Sequence, residues 1–128
     1  MKRKGFFIVA YIIATSTIAL AKSKSGYLSD YILTKKDNLI IENAVRASLK
    51  DPNSALFGRI AAARQTDGTL KVCGEVNARN SFGGYAGMKP YLAIYNPPLP
   101  IALIAGIGSD DSSSAIVIAL CKQAFGNF

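Results

Sequence analysis

The clearest helical pattern in the chain lies between residues 39 and 50. Apolar and small side chains recur there at helical spacing and charged ones fall on the other side, which predicts an amphipathic helix of about three turns. Asp37 or Asn38 offers an N-cap for this helix. Pro52 ends it, because the residue before a proline is steered away from helical torsion angles.

An alternating pattern follows this helix. Residues 70–76 alternate between apolar and polar side chains, which is typical of a strand. The alanine-rich run over 55–64 favours a strand less strongly. Asp67–Gly68 lies between the two runs and supplies the positive φ that a tight hairpin requires. Residues 91–95 predict a third strand.

The C-terminal third leaves two alternatives open. Residues 101–107 are apolar and form either a buried strand or a loop. Residues 115–124 favour a helix, because N-cap residues crowd the preceding polar segment 109–114, while a β-branched run at 116–118 keeps a strand as the alternative. We therefore expect an α+β fold, in which an N-terminal amphipathic helix packs on a three- to four-stranded antiparallel sheet, with a C-terminal helix.

The start of the chain has the layout of a secretory signal peptide. Three basic residues at 2–4 precede an uncharged and mostly apolar stretch over 6–20, and Ala-Leu-Ala at 19–21 presents small residues to a signal peptidase. An uncleaved anchor is the alternative, but the apolar stretch is shorter than the about 20 residues that span a bilayer. We expect cleavage after residue 21 and a periplasmic or extracellular location.

Loss of residues 1–21 changes the charge of the chain. Twelve Lys and Arg remain against eight Asp and Glu, a net charge of +4 instead of the +7 of the full sequence. These charges are scattered, which argues against nucleic acid and leaves only weak attraction to anionic surfaces. We expect a flexible mature N-terminus over 22–36 and one small α+β domain over 37–128.

Export bears on the two cysteines, Cys73 and Cys121. An oxidising compartment favours a disulfide between them, which would tie the second strand to the C-terminal element. Closing a loop of about 50 residues contributes on the order of 3 to 4 kcal/mol in the chain-entropy description. Two buried free thiols are the alternative. The pair lacks the Cys-x-x-Cys spacing of a redox motif.

The sequence contains no histidine, which removes the commonest general base and the commonest metal ligand. Neither a Ser-His-Asp triad nor a zinc site follows from the residues present. We therefore predict no catalytic residue, no metal and no cofactor, and we expect that the protein is not an enzyme. A hydrolase using carboxylates alone, such as Glu42 and Glu75, is the remaining enzymatic alternative.

One segment, residues 73–87, combines charged, amide and aromatic side chains with four glycines. Arg79 offers a planar guanidinium to a carboxylate or phosphate, or else pairs with Glu75. The alternative is a loop with a purely structural role, whose glycines take positive φ, whose asparagines cap turns and whose two aromatic rings pack into the core. The binding candidates are Glu75, Asn77, Arg79, Asn80, Phe82 and Tyr85.

Two stretches carry a family resemblance. LKDPNSALF at 49–57 and VCGEVNARNSFGGYAG at 72–87 resemble the motifs LKDPxSAxF and VCGEVNAxNxFGGYxG of a family of small exported bacterial proteins. The similarity covers about residues 40 to 95. It implies bacterial origin and export, and it supplies no activity.

These observations lead to one functional expectation and one alternative beside the hydrolase. We expect a non-enzymatic exported binding domain that recognises another macromolecule, a protein or envelope component, through the 75–87 region. The alternative is a small structural component of a bacterial envelope or secretion assembly that docks through the apolar segment 97–108.

Overall fold

The computed structural model describes residues 27–126 and residue 128. The predicted leader, residues 1–21, lies outside the described residues. In this part of the chain, neither helix has the length and apolar character needed to cross a bilayer. The elements are β1 Tyr27–Tyr31, α1 Lys35–Ala47, a 3-10 turn Pro52–Ser54, β2 Leu56–Gln65, β3 Leu70–Asn77, β4 Lys89–Tyr95, β5 Ala102–Ile107 and α2 Asp111–Phe125.

The five strands form one antiparallel sheet in the order β1-β2-β3-β4-β5, each paired with its neighbour in the chain. The α+β class is confirmed, and the predicted count of three to four strands is corrected to five. The additional strand, β1, lies in the segment 22–36 for which we expected flexibility. Its order comes from pairing with β2 and from Tyr31, which packs against the core. Of the two alternatives for residues 101–107, a strand or a loop, the structure shows the strand, β5.

Helix α1 begins earlier than the N-cap interpretation of Asp37 or Asn38 requires. Thr34 is the N-cap, because its Oγ1 accepts a hydrogen bond from the Asp37 backbone N–H at 3.1 Å. The Asp37 carboxylate in turn accepts from the Thr34 backbone N–H at 2.9 Å, which completes a capping box. The helix ends at Ala47, before the predicted end at residue 50.

Strand alternation divides the sheet into two apolar faces. On one face, Ile41 and Val45 of α1 pack with Val72 of β3 in the larger core. On the other, Cys73 joins a smaller core with α2. The predicted C-terminal helix is confirmed as α2, and so is the disulfide between Cys73 and Cys121, whose Cα atoms are 5.9 Å apart. The sheet therefore lies between two helices.

The predicted Asp-Gly turn closes the hairpin between β2 and β3. Gly68 has φ 88°, in the left-handed region that glycine adopts without a steric penalty. The Gln65 backbone N–H donates to the carbonyl of Thr69 at 2.8 Å, and the Asp67 carboxylate accepts from the Thr69 N–H at 2.9 Å. The turn fixes the register of the two strands that lead to the 73–87 segment.

A buried hydrogen bond connects α1 to the sheet. The Tyr95 hydroxyl of β4 donates to Asp37 Oδ1 at 2.9 Å. Burial raises the pKa of Asp37, but hydrogen bonds from Thr34 and Tyr95 outweigh that effect and hold the pKa below its ordinary value. Burial and the bond to Asp37 raise the pKa of Tyr95 to about 12. The pair is therefore an ionised carboxylate and a neutral phenol at neutral pH.

Tyr95→Phe is expected to destabilise the protein at pH 7 by about 1.5 to 3 kcal/mol, the typical contribution of a hydrogen bond to a charged group. Because the folded pKa of Asp37 is depressed, its contribution is present above the unfolded value near about pH 4 and is lost as pH falls through the folded pKa. Urea unfolding at pH 7 and pH 3 should show a smaller acid loss for Tyr95→Phe than for wild type. The exposed carboxylate variant Asp30→Asn is the control, and equal stability of Tyr95→Phe and wild type at pH 7 would contradict the argument.

Candidate functional site

Residues 78–88, which join β3 to β4, form a loop that is shaped by its own hydrogen bonds; we call it the 78–88 loop. The Asn80 backbone N–H donates to the Gly84 carbonyl at 2.8 Å, and the Gly83 N–H donates to the Asn80 carbonyl at 3.0 Å. Asn80 Oδ1 also accepts from the N–H groups of Phe82 and Gly84 at 3.0 and 3.2 Å. Gly83 has φ 81°, which favours glycine. Asn80 therefore organises the tip.

The loop is also attached to the body of the protein. Ser54 forms two hydrogen bonds with the loop. Its Oγ accepts from the Arg79 backbone N–H at 2.8 Å, and its carbonyl accepts from the Tyr85 hydroxyl at 3.0 Å. Asn77 Oδ1 accepts from the Gly87 N–H at 3.1 Å. These contacts place Asn77 and the Tyr85 hydroxyl in structural positions that hold the loop against the turn after α1.

The two aromatic side chains of the loop have different surroundings. Phe82 is 97% exposed at the tip, so the interpretation that packs it into the core is wrong. Tyr85 is partly exposed, and the Arg79 guanidinium carbon lies 5.5 Å from the centre of its ring. A cation–π contact between Arg79 and Tyr85 thus lies beside a solvent-exposed phenylalanine on one ordered loop.

Glu75 lies apart from this group. Successive β3 side chains alternate between faces, which places Glu75 on the same face as Cys73, toward α2. Its carboxylate forms an ion pair with Arg59 of β2 at 3.1 Å, so the predicted pairing with Arg79 is not formed. The structure therefore brings together five of the six predicted residues and leaves out Glu75.

The carboxylates considered for hydrolysis are also separated. Glu42 lies on α1, on one side of the sheet, and pairs with Arg46 at 3.9 Å. Glu75 faces the other side of the sheet. The described residues contain no group of three or more histidine, cysteine or carboxylate side chains that would hold a metal ion.

A cleft of about 350 Å³ opens between the end of α1 and the 78–88 loop. The cleft lies where residues 48–50, which follow α1, meet the ends of β3 and β5. Apolar atoms of Leu49, Val76 and Ile107 line it, together with the cationic residues Lys50, Arg79 and Lys89.

Lys50 and Lys89 line the cleft but are not among the predicted site residues. Lys50 reaches the loop by donating to Ser81 Oγ at 2.9 Å, a contact between residues 31 apart that no local pattern indicates. The sequence does contain a signal for Lys89. It lies two residues before Tyr91 in β4, and side chains two apart in a strand lie on the same face of the sheet. That alternation predicts a lysine at the margin of the larger core.

The segment 97–108 presents a second exposed surface. Ile101 and Leu103 are 71% and 68% exposed beside and within β5, which is an edge strand of the sheet. The sequence carries no charged residue from 97 to 108. Edge strands commonly carry charges that prevent pairing with other chains, so this edge lacks a usual protection.

Comparisons of the chain with protein-family models, with curated proteins and with solved structures found no match. The resemblance carried by the two motifs therefore stays an expectation. The features of the described residues that bear on function are the 78–88 loop, the cleft beside it and the β5 edge.

Proposed function

We propose that this protein is a non-enzymatic exported binding domain that recognises a protein or envelope component through the 78–88 loop. The exposure of Phe82 carries the proposal, since the ring is 97% exposed on a loop fixed by hydrogen bonds. Burying such a ring against a partner contributes about 2 kcal/mol. An ordered loop also loses little conformational freedom on binding, which favours affinity.

The surroundings of Phe82 support a mixed contact. The Arg79 guanidinium carbon lies 5.5 Å from the centre of the Tyr85 ring, and its side chain forms no ion pair within the described residues, so its planar N–H groups can donate to a carboxylate. Aromatic and arginine side chains are the residues most enriched at the energetic centres of interfaces. Phe82, Arg79 and Tyr85 are therefore the proposed contact residues, while Asn77 and Asn80 hold the loop and Glu75 lies outside it.

Two features support export. The layout of residues 1–21 is typical of a cleaved leader, and the Cys73–Cys121 disulfide is the form that cysteines take in oxidising compartments. On this proposal the working protein lies in the periplasm or outside the cell, where its partner is an envelope component or another exported protein.

Photo-crosslinking tests the loop. Benzoylphenylalanine at position 82, incubated with envelope extract and irradiated, should give a discrete adduct that excess unlabelled wild type competes away and excess Phe82→Ala does not. Position 32 is the matched control, because Ile32 is 92% exposed between β1 and α1. Phe82→Ala should change the free energy of unfolding by less than about 0.5 kcal/mol, since its side chain packs on little. The same adduct from position 32, or equal competition by Phe82→Ala, would contradict the proposal.

A second candidate function, a structural component of an envelope or secretion assembly, is favoured by the exposed apolar residues of the β5 edge. Ile101 and Leu103 would be covered when a partner strand pairs with that edge. Benzoylphenylalanine at position 103 distinguishes the candidates in the same extract. An adduct from position 103 with none from position 82 would replace the first proposal with this one.

A further inference from the structure

We propose that the cleft between the end of α1 and the 78–88 loop is a binding site for a small organic anion, a carboxylate joined to an apolar group. This goes beyond the proposed function: the two sites share Arg79, but Phe82 and Tyr85 are not among the residues that line the cleft. The ligand would occupy the side of the loop that faces the sheet end, and a macromolecular partner would contact its tip.

The size and floor of the cleft suit a small molecule. Its volume of about 350 Å³ lies within the range of known ligand sites, which are mostly apolar with a few polar groups that fix orientation. Leu49, Val76 and Ile107 supply the apolar part. Val76 lies near the end of β3, the middle strand of the sheet, and Leu49 follows α1, and both pack in the larger core.

The charges of the cleft have one sign. Lys50, Arg79 and Lys89 line it, and of the described lining residues none is acidic. Within the described part of the chain, the side chains of Arg79 and Lys89 form no ion pair, whereas Arg46 and Arg59 each have a carboxylate partner. Three cations around one opening repel one another, and a bound anion would offset that repulsion.

A carboxylate on an apolar body fits these groups better than a bare anion. The guanidinium of Arg79 forms no ion pair within the described residues, and its planar fork can bind a planar acid through two hydrogen bonds. Inorganic phosphate could bind the cations but would leave the apolar floor of the cleft exposed to water. The required chemistry has two sources, a free small acid and the C-terminal carboxylate of a polypeptide.

The test uses the disulfide-bonded protein labelled with ¹⁵N and titrated with octanoate and, separately, with the neutral octanol. Octanoate should shift the amide signals of lining residues such as Val76 and Gly108, with octanol binding about tenfold more weakly because it lacks the charge. The double variant Arg79→Gln/Lys89→Gln should weaken octanoate binding about tenfold. Lys35→Gln/Lys36→Gln is the matched control, since it removes the same charge from exposed positions at the start of α1 and should bind like wild type.

A tetrapeptide ending in Val-Leu, with a free carboxylate or an amide, separates the two sources. Binding of octanoate alone assigns the site to small acids, and tighter binding of the carboxylate peptide than of octanoate assigns it to polypeptide termini; both outcomes support the shared chemistry. Equal binding of octanoate and octanol, shifts confined to residues outside the cleft, or no shifts with any probe would overturn it. None of these outcomes alters the crosslinking expected from position 82, so the two proposals fail separately.

Discussion

Replacing both Cys73 and Cys121 with alanine is expected to lower the free energy of unfolding by about 3 to 4 kcal/mol. The two residues are 48 positions apart, so the bond closes a long loop in the unfolded chain and removes much of its conformational freedom. A domain of this size is stabilised by only about 5 to 15 kcal/mol in total. The loss would therefore be a large share of the whole stability.

Urea unfolding with and without dithiothreitol measures this effect. Reduced wild type should unfold at nearly the same urea concentration as the double variant, and the double variant itself should not respond to the reductant. The variant is its own control for nonspecific effects of dithiothreitol. Equal midpoints for oxidised and reduced wild type would contradict the prediction.

The loss of stability in the double variant should be concentrated in one part of the structure. α2 is held on the sheet by a small core, in which Val117 and Cys121 meet Cys73 and Leu92, whereas α1 belongs to the larger core. Without the covalent link, α2 depends on fewer buried contacts. Amide hydrogen exchange in the double variant should therefore accelerate more in α2 than in α1.

The fold was predictable from the sequence where a local pattern and a local turn agreed. Alternation over 70–76 and the Asp67–Gly68 turn gave β3 and its hairpin, because both signals depend on near neighbours in the chain. β1 was missed, because its order comes from pairing with β2 rather than from a pattern of its own. The position of the N-cap was missed because the Thr34–Asp37 capping box offers a better pair of hydrogen bonds than Asp37 alone.

The candidate site was predictable only in part. Glycine and asparagine content indicated an irregular loop after β3, but composition does not tell an exposed phenylalanine from a buried one, and Phe82 proved to be exposed. Glu75 was predicted to join Arg79 in the site. Period-two alternation in β3 instead places its side chain on the α2 face, where it pairs with Arg59. The cleft depends on where α1 ends relative to β3 and β4, which is a tertiary property. The spacing of Lys89 and Tyr91 indicates only that Lys89 shares a sheet face with the larger core, and no local pattern indicates Lys50.

Gly74→Ala is expected to destabilise the protein by about 3 kcal/mol, the upper part of the range for overpacked cores. Gly74 pairs with Tyr91 across β3 and β4, and the Tyr91 ring lies over it, so an added methyl group would overlap the ring atoms. The ring cannot move easily, since Tyr91 is fully buried and meets Phe57 edge to face, with centroids 6.5 Å apart. The space beside the Tyr91 ring therefore accommodates glycine at position 74 but not a residue with a side chain.

Gly84→Ala is the matched control, because the same added methyl group would meet only Asn80 Oδ1, at 4.0 Å. It should change stability by less than about 0.5 kcal/mol in the same urea unfolding experiment. Tyr91→Leu supplies the decisive comparison. If overlap with the ring causes the loss, Gly74→Ala should cost less in the Tyr91→Leu background than in wild type, a non-additivity expected of residues in contact. Strict additivity of the two changes would show that the ring is not the obstacle, and the loss would then belong to the strand backbone itself.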